Sequence, residues 1–182
     1  MATTKWVLDP THSELGFKIK HLMISHVSGT LKNFKAEVET VGEDFTTAKI
    51  NLSADMASLS TNNEQRDAHL RNSDFFEVEK YPELKFTSTR LEKIDGETFS
   101  LFGELTLKGV SRPVKLQVEY NGVTKDPWGG ERAGFVVTGK INRSEWGVNF
   151  NSVLETGGVA LSEELRIFSE IQVVKQGVSV AA

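Results

Sequence analysis

Strict alternation of apolar and polar residues, repeated segment after segment, limits this chain more than any other feature. Leu15, Phe17 and Ile19 alternate with Glu14, Lys18 and Lys20, and Ile50, Leu52 and Ala54 with Asn51, Ser53 and Asp55. Phe99, Leu101, Gly103, Leu105 and Leu107 repeat the pattern, as do Val114, Leu116, Val118 and Tyr120, then Leu165, Ile167, Ser169, Ile171 and Val173. Successive side chains of a strand point to opposite faces, so a period of two marks strands with one buried and one wet face. Strands of a parallel sheet are covered on both faces and read as continuous apolar runs, so these strands are antiparallel. Segments near 5–9, 13–22, 28–40, 46–55, 83–94, 97–108, 112–123, 132–142 and 162–175 predict eight or nine strands. That number closes into an up-and-down barrel, which removes the exposed edges of an open sheet.

Turn residues fall between these segments. Asp95-Gly96 marks a tight hairpin in which both central residues take positive φ. Lys108-Gly109, Asp126-Pro127-Trp128-Gly129-Gly130 and Gly157-Gly158 separate later strands. One helix interrupts them, near 62–71: Thr61-Asn62-Asn63-Glu64 has the form of a capping box with Thr61 as its hydroxyl, and good helix formers follow to Arg71. This short polar helix is expected over one barrel end, with Leu70, Phe75 and Phe76 inserted as a plug.

At 182 residues, with no linker-like stretch, the chain reads as a single domain over 1–182. An apolar share of 38% and a charged share of 25% allow a core, and no run reaches the roughly 18 apolar residues of a membrane-spanning helix. The net charge of −4 and the lack of a basic face argue against nucleic acid as a partner. Zero cysteines exclude a thiolate nucleophile and cysteine-based metal sites. The first residues lack an apolar signal segment, so a cytoplasmic location is expected.

Ionisable residues give few chemical motifs. His12, His21, His26 and His69 show no pair spaced to hold one metal ion, so no metal and no cofactor are expected. His12 and His21 are read as buried or half-buried hydrogen-bonding groups, and His26 as a loop residue. Arg66, Asp67 and His69 form a dense cluster in which Arg66, His69 and Leu70 share a helix face. It reads either as a polar lid for a ligand head group or as a local network, with Asp67 paired to Arg71 and Arg66 tied to a neighbouring loop. The run Gly134 to Lys140 imitates a phosphate loop, but Ile141 follows where a hydroxyl is needed and the interval is strand-like. No nucleophile elbow or dinucleotide fingerprint occurs, and no catalytic residue is assigned.

The segments together resemble the YceI-like family from Trp6 to about Val174. The resemblance rests on Trp6 to Ser13, Phe17 to Leu22, Gly29, Thr61 to Phe76, Tyr81-Pro82, Phe86 to Thr89, Gly103 to Val110 and Gly139 to Gly147. It implies an extended, eight-stranded, lipocalin-like barrel whose interior tunnel binds a polyisoprenoid or related long-chain amphiphile, in relatives that are frequently dimers and often exported. A binding or carrier protein, not an enzyme, follows from the resemblance. Residues on strand-like segments supply candidate tunnel walls, Phe17, Ile19, Phe86, Leu105 and Trp146, joined by Phe76 from the plug after the helix, with Arg66 and His69 at a polar mouth. Two rivals stay open. One is an isoprenoid-directed enzyme using His12, His21 or Asp67 as acid and base, which requires two of them within hydrogen-bond reach in the cavity. The other is an interaction protein with a barrel filled by its own side chains.

Overall fold

The computed structural model describes residues 2–22, 24–151 and 160–176. The Gly157-Gly158 turn lies outside them. Among the described residues eleven strands form one antiparallel sheet: β1 (Thr3–Leu8), β2 (Glu14–His21), β3 (Ser25–Leu31), β4 (Phe34–Val41), β5 (Asp44–Asp55), β6 (Leu59–Ser60), β7 (Glu83–Lys93), β8 (Thr98–Leu107), β9 (Val110–Lys125), β10 (Glu131–Asn142) and β11 (Leu161–Lys175). The order is β1-β4-β5-β7-β8-β9-β10-β11, and β1 pairs back onto β11, which closes an eight-stranded barrel. The remaining strands, β2, β3 and β6, lengthen it. β1 and β2 both run along β11, one pairing Leu8 with Val173 and the other Glu14 with Glu170. The intervening turn, Asp9 to Ser13, is anchored by Asp9, whose carboxylate accepts from Thr11 N and whose own N–H donates to Gln172 O. Pro10 within that turn has no N–H to give the sheet.

The neighbouring staves break beside one another. β3 gives way to β4 at Lys32-Asn33, and β5 to β6 through a 3-10 turn at Met56–Ser58. Lys32 N and Asn33 N donate to Ser58, and Asp55 N to Asn33 O, so the two breaks satisfy each other's backbone groups. Beyond them β2, β3 and β6 form an extension of the barrel that carries the helix α1 (Glu64–Arg71) at its end.

Several local expectations are corrected. The helix begins at Glu64, and its cap is Asn63, whose side chain accepts from Arg66 N. Thr61 serves elsewhere: its N–H and hydroxyl both donate to Asp67, which is buried. Asp67 therefore forms no pair with Arg71, which donates to Ala57 O and Leu59 O. Asp95-Gly96 is an Asx turn in which the Asp95 carboxylate accepts from Glu97 N and Thr98 N. The hairpin with positive φ at both central residues is Lys108-Gly109, at 52° and 75°. His26 lies on β3, and His12 is exposed, bonded to Asp9.

The alternating apolar sets identified in the sequence turn inward. At one end Trp6, Phe45, Tyr120 and Phe135 close the barrel with ring centroids 5.0–5.4 Å apart, around Ala133 and Val173, which are fully buried. The Trp6 indole N–H donates to Thr40 Oγ1 at 3.1 Å, so closure leaves that polar group satisfied. Toward the middle the wall has room for large rings only because glycines face them. A Cβ at Gly103 would lie 2.4 Å from the Phe86 ring, and one at Gly29 would lie 2.4 Å from that of Phe17.

Candidate ligand tunnel

The barrel is not filled by its own side chains: three cavities lie in series along it. The deepest, about 150 Å³, rests on the aromatic closure and is bordered by Phe45, Phe86, Leu101, Phe135 and Val173 among others, all apolar except Ser169. A middle cavity of about 80 Å³ shares Leu15, Leu84 and Ile167 with it. The third, about 230 Å³, lies at the helix end and shares Phe17, Phe76 and Leu165 with the middle one. These shared side chains stand between neighbouring chambers.

Most of the expected wall residues border this row. Phe86 faces the deep cavity, Leu105 the middle one, Ile19 the mouth, and Phe17 and Phe76 both middle and mouth. Trp146 borders none of the three. It is buried in the 3-10 turn Arg143–Trp146, and its indole donates to Leu105 O at 2.9 Å, so it braces the wall from behind.

Arg66, His69 and Leu70 all border the mouth cavity, as helical spacing requires. Arg66 holds the turn before the helix, with Nε donating to Thr61 Oγ1 at 2.7 Å and Nη2 to Thr61 O at 2.9 Å. His69 Nε2 lies 2.8 Å from Asp74 Oδ2, and its ring meets Phe75 and Phe150 edge-on at 5.0 and 4.9 Å. The acid–base rival needs two of His12, His21 and Asp67 together. His12 is at the closed end with Asp9, Asp67 is held by Thr61, and only His21 borders the mouth cavity. Among the described residues, no three His, Asp or Glu side chains converge as a metal site.

Two polar side chains inside the barrel have atoms without a hydrogen-bond partner among the described residues: Ser169 Oγ and Arg143 Nη2. Ser169 is 2% exposed and borders the deep cavity; Arg143 is 2% exposed and borders the mouth cavity. Burial pushes the Arg143 guanidinium below its ordinary pKa. Neither was singled out from the sequence as a site residue, although parity carries a signal for both. Ser169 occupies the inward position between Ile167 and Ile171, and Arg143 follows Phe135, Val137, Gly139 and Ile141 at the same spacing of two.

Comparison with known proteins places the chain. The YceI-like domain family matches residues 6–173. A UPF0312 protein of Staphylococcus epidermidis is 40% identical over 164 residues, covering 90% of this chain and 93% of that one. The crystal structure of the Campylobacter jejuni YceI protein superposes with a TM-score of 0.76 at 34% identity, over 87% of this chain and 90% of that chain. A domain from Saccharophagus degradans described as polyisoprenoid-binding and implicated in plant cell wall breakdown shares the fold, with a TM-score of 0.68 at 15% identity over 92% of this chain and 97% of that chain. The barrel, its closure and the matched residues together make this chain a member of the YceI-like family.

Proposed function

We propose that the protein binds one long apolar chain, of polyisoprenoid or similar amphiphilic type, along the barrel axis, and acts as a lipid carrier or store. The observation that carries this reading is the row of three cavities joined by shared side chains, two lined almost wholly by apolar residues and the third with ionisable residues on its border. Affinity in such a tunnel comes from removing hydrocarbon from water, about 0.8 kcal/mol per buried methylene-sized group, so that ten groups supply roughly 8 kcal/mol before ordering costs. The polyisoprenoid-binding relative of like fold supports the same ligand class. His12, His21 and Asp67 are not brought together at the cavities among the described residues, which favours binding over chemistry.

Native mass spectrometry of the purified protein, followed by organic extraction, measures bound lipid per folded molecule. Leu105→Glu places a charge in the middle cavity and Phe86→Glu one in the deep cavity, where an unpaired carboxylate is expensive to desolvate. Lipid loading is expected to fall to background in both variants and to persist in Lys18→Glu, which alters an exposed residue of β2. Unchanged loading in charged variants that fold, as checked by circular dichroism, contradicts a ligand inside the barrel.

A further inference from the structure

The mouth cavity contains a charge that the described residues do not balance. Arg143 Nε donates to Ser162 O and Nη1 to Val148 O and Phe150 O, each at 2.9 Å. Those carbonyls hold the guanidinium in place and supply partial charges only. Nη2 has no acceptor, and no carboxylate forms an ion pair with Arg143 among the described residues. The neighbouring charges are engaged elsewhere: Asp67 by Thr61, Arg66 by Thr61, and Asp74 by His69. Glu163, which favours the charged form of Arg143, is exposed. A buried cation and a buried N–H donor are both costly without partners.

We infer that the mouth cavity is a site for a singly charged oxyanion, the carboxylate head group of a long-chain acid, received by Arg143 Nη2 while the chain enters the barrel. The inference rests on the tunnel-binding reading and assigns the head group within it. Nη2 is the buried donor group at this cavity that lacks an acceptor among the described residues, and its two N–H groups can donate to a carboxylate with charge assistance; Arg66, the second guanidinium at the cavity, is half-buried and already donates to Thr61. His21 borders the same cavity and is half-buried, so it completes the polar side of the mouth. Phe17 and Ile19, on the same face of β2 as His21, line the rest of the cavity with Phe75 and Phe76, and Phe17 and Phe76 also border the middle cavity.

Three probes with one tail separate the possibilities: geranylgeranoic acid, geranylgeraniol and geranylgeranyl diphosphate, titrated into delipidated protein at neutral pH by calorimetry. The acid is expected to bind at least about tenfold tighter than the alcohol, the effect of a charge-assisted hydrogen bond. Arg143→Gln is expected to bring that ratio close to one, and Arg143→Lys to keep part of it. If Arg143→Gln does not fold, the wild-type protein supplies the test by NMR: the Arg143 Nε–Hε signal should shift on adding acid and stay in place on adding alcohol. Equal binding of acid and alcohol, or a ratio that survives in folded Arg143→Gln, overturns the head-group site while leaving the tunnel intact. Tighter binding of the diphosphate than of the acid overturns the assignment of a single charge. Binding of none of the three overturns the tunnel reading itself.

Discussion

Two arginines at opposite ends of β10, eleven residues apart and so separated by roughly 35 Å of extended backbone, are buried in different ways. Arg132, at the closed end, donates to the carboxylates of Asp9 and Asp126, and the latter is itself held by Trp128 N and Gly130 N. Arg132 is thus balanced by two carboxylates. Arg143, at the mouth, meets three carbonyls and no carboxylate among the described residues. The closed end also carries the aromatic cluster of Trp6, Phe45, Tyr120 and Phe135, whereas the mouth has the largest of the three cavities. The contrast teaches that one end is complete as folded and the other is shaped for an addition, so stability and binding are divided along the barrel axis.

The largest effect that would sharpen this division is on stability. Trp6→Ala removes a fully buried indole and its bond to Thr40, and is expected to lower the unfolding free energy by about 3–5 kcal/mol in urea titrations. Leu70→Ala, on a half-buried helix residue at the mouth, should lose clearly less. Equal losses would break the comparison.

A smaller effect depends on pH. The Asp9 carboxyl is held well below the usual carboxylate range by the Thr11 hydroxyl first, with His12 and Arg132 adding to it, and Asp126 is lowered chiefly by the Gly130 N–H. A carboxylate with a depressed folded pKa contributes stability in full above its unfolded value, about 3.9, and loses it as pH falls through the folded value. The midpoint of urea unfolding should therefore be level from neutral pH down to about 5 and drop below about 4. Asp9→Asn should flatten that acid limb. An unchanged acid limb in the variant would mean that the closed end is not where acid acts.

The smallest effect is a gain. Ser169→Ala removes a buried hydroxyl without a partner, so the ligand-free protein is expected to become more stable by up to about 1 kcal/mol, measured by the same titration. A loss of similar size would mean that the hydroxyl is satisfied in solution by water in the deep cavity.

Much of this architecture is legible in the chain itself. Alternation in Phe99 to Leu107 and in Leu165 to Val173 identifies strands with one buried face, and the inward sets it names are those that border the cavities. Phe17, Ile19, Phe86 and Leu105 follow from the same pattern, whereas Phe76 follows from its place just after the helix. Errors arose where several local partners compete. Thr61 has the position of a capping hydroxyl, yet it donates its hydrogen bond to Asp67, six residues on, and Asn63 caps the helix. Asp95 satisfies its turn with its own carboxylate, so Gly96 is not required to take positive φ. Trp146 has the bulk of a wall residue but sits in a turn behind Leu105.

The sequence by itself determined strand periodicity, the antiparallel class and which side chains share a face, because these depend on neighbours two residues apart. Only the tertiary structure decided that β11 serves both β1 and β2, that the interior holds three cavities in series, and that Arg143 lies within it with Nη2 lacking a partner among the described residues. Those properties depend on contacts between residues far apart in the chain, and a buried donor is recognised as unsatisfied only when every acceptor around it has been placed.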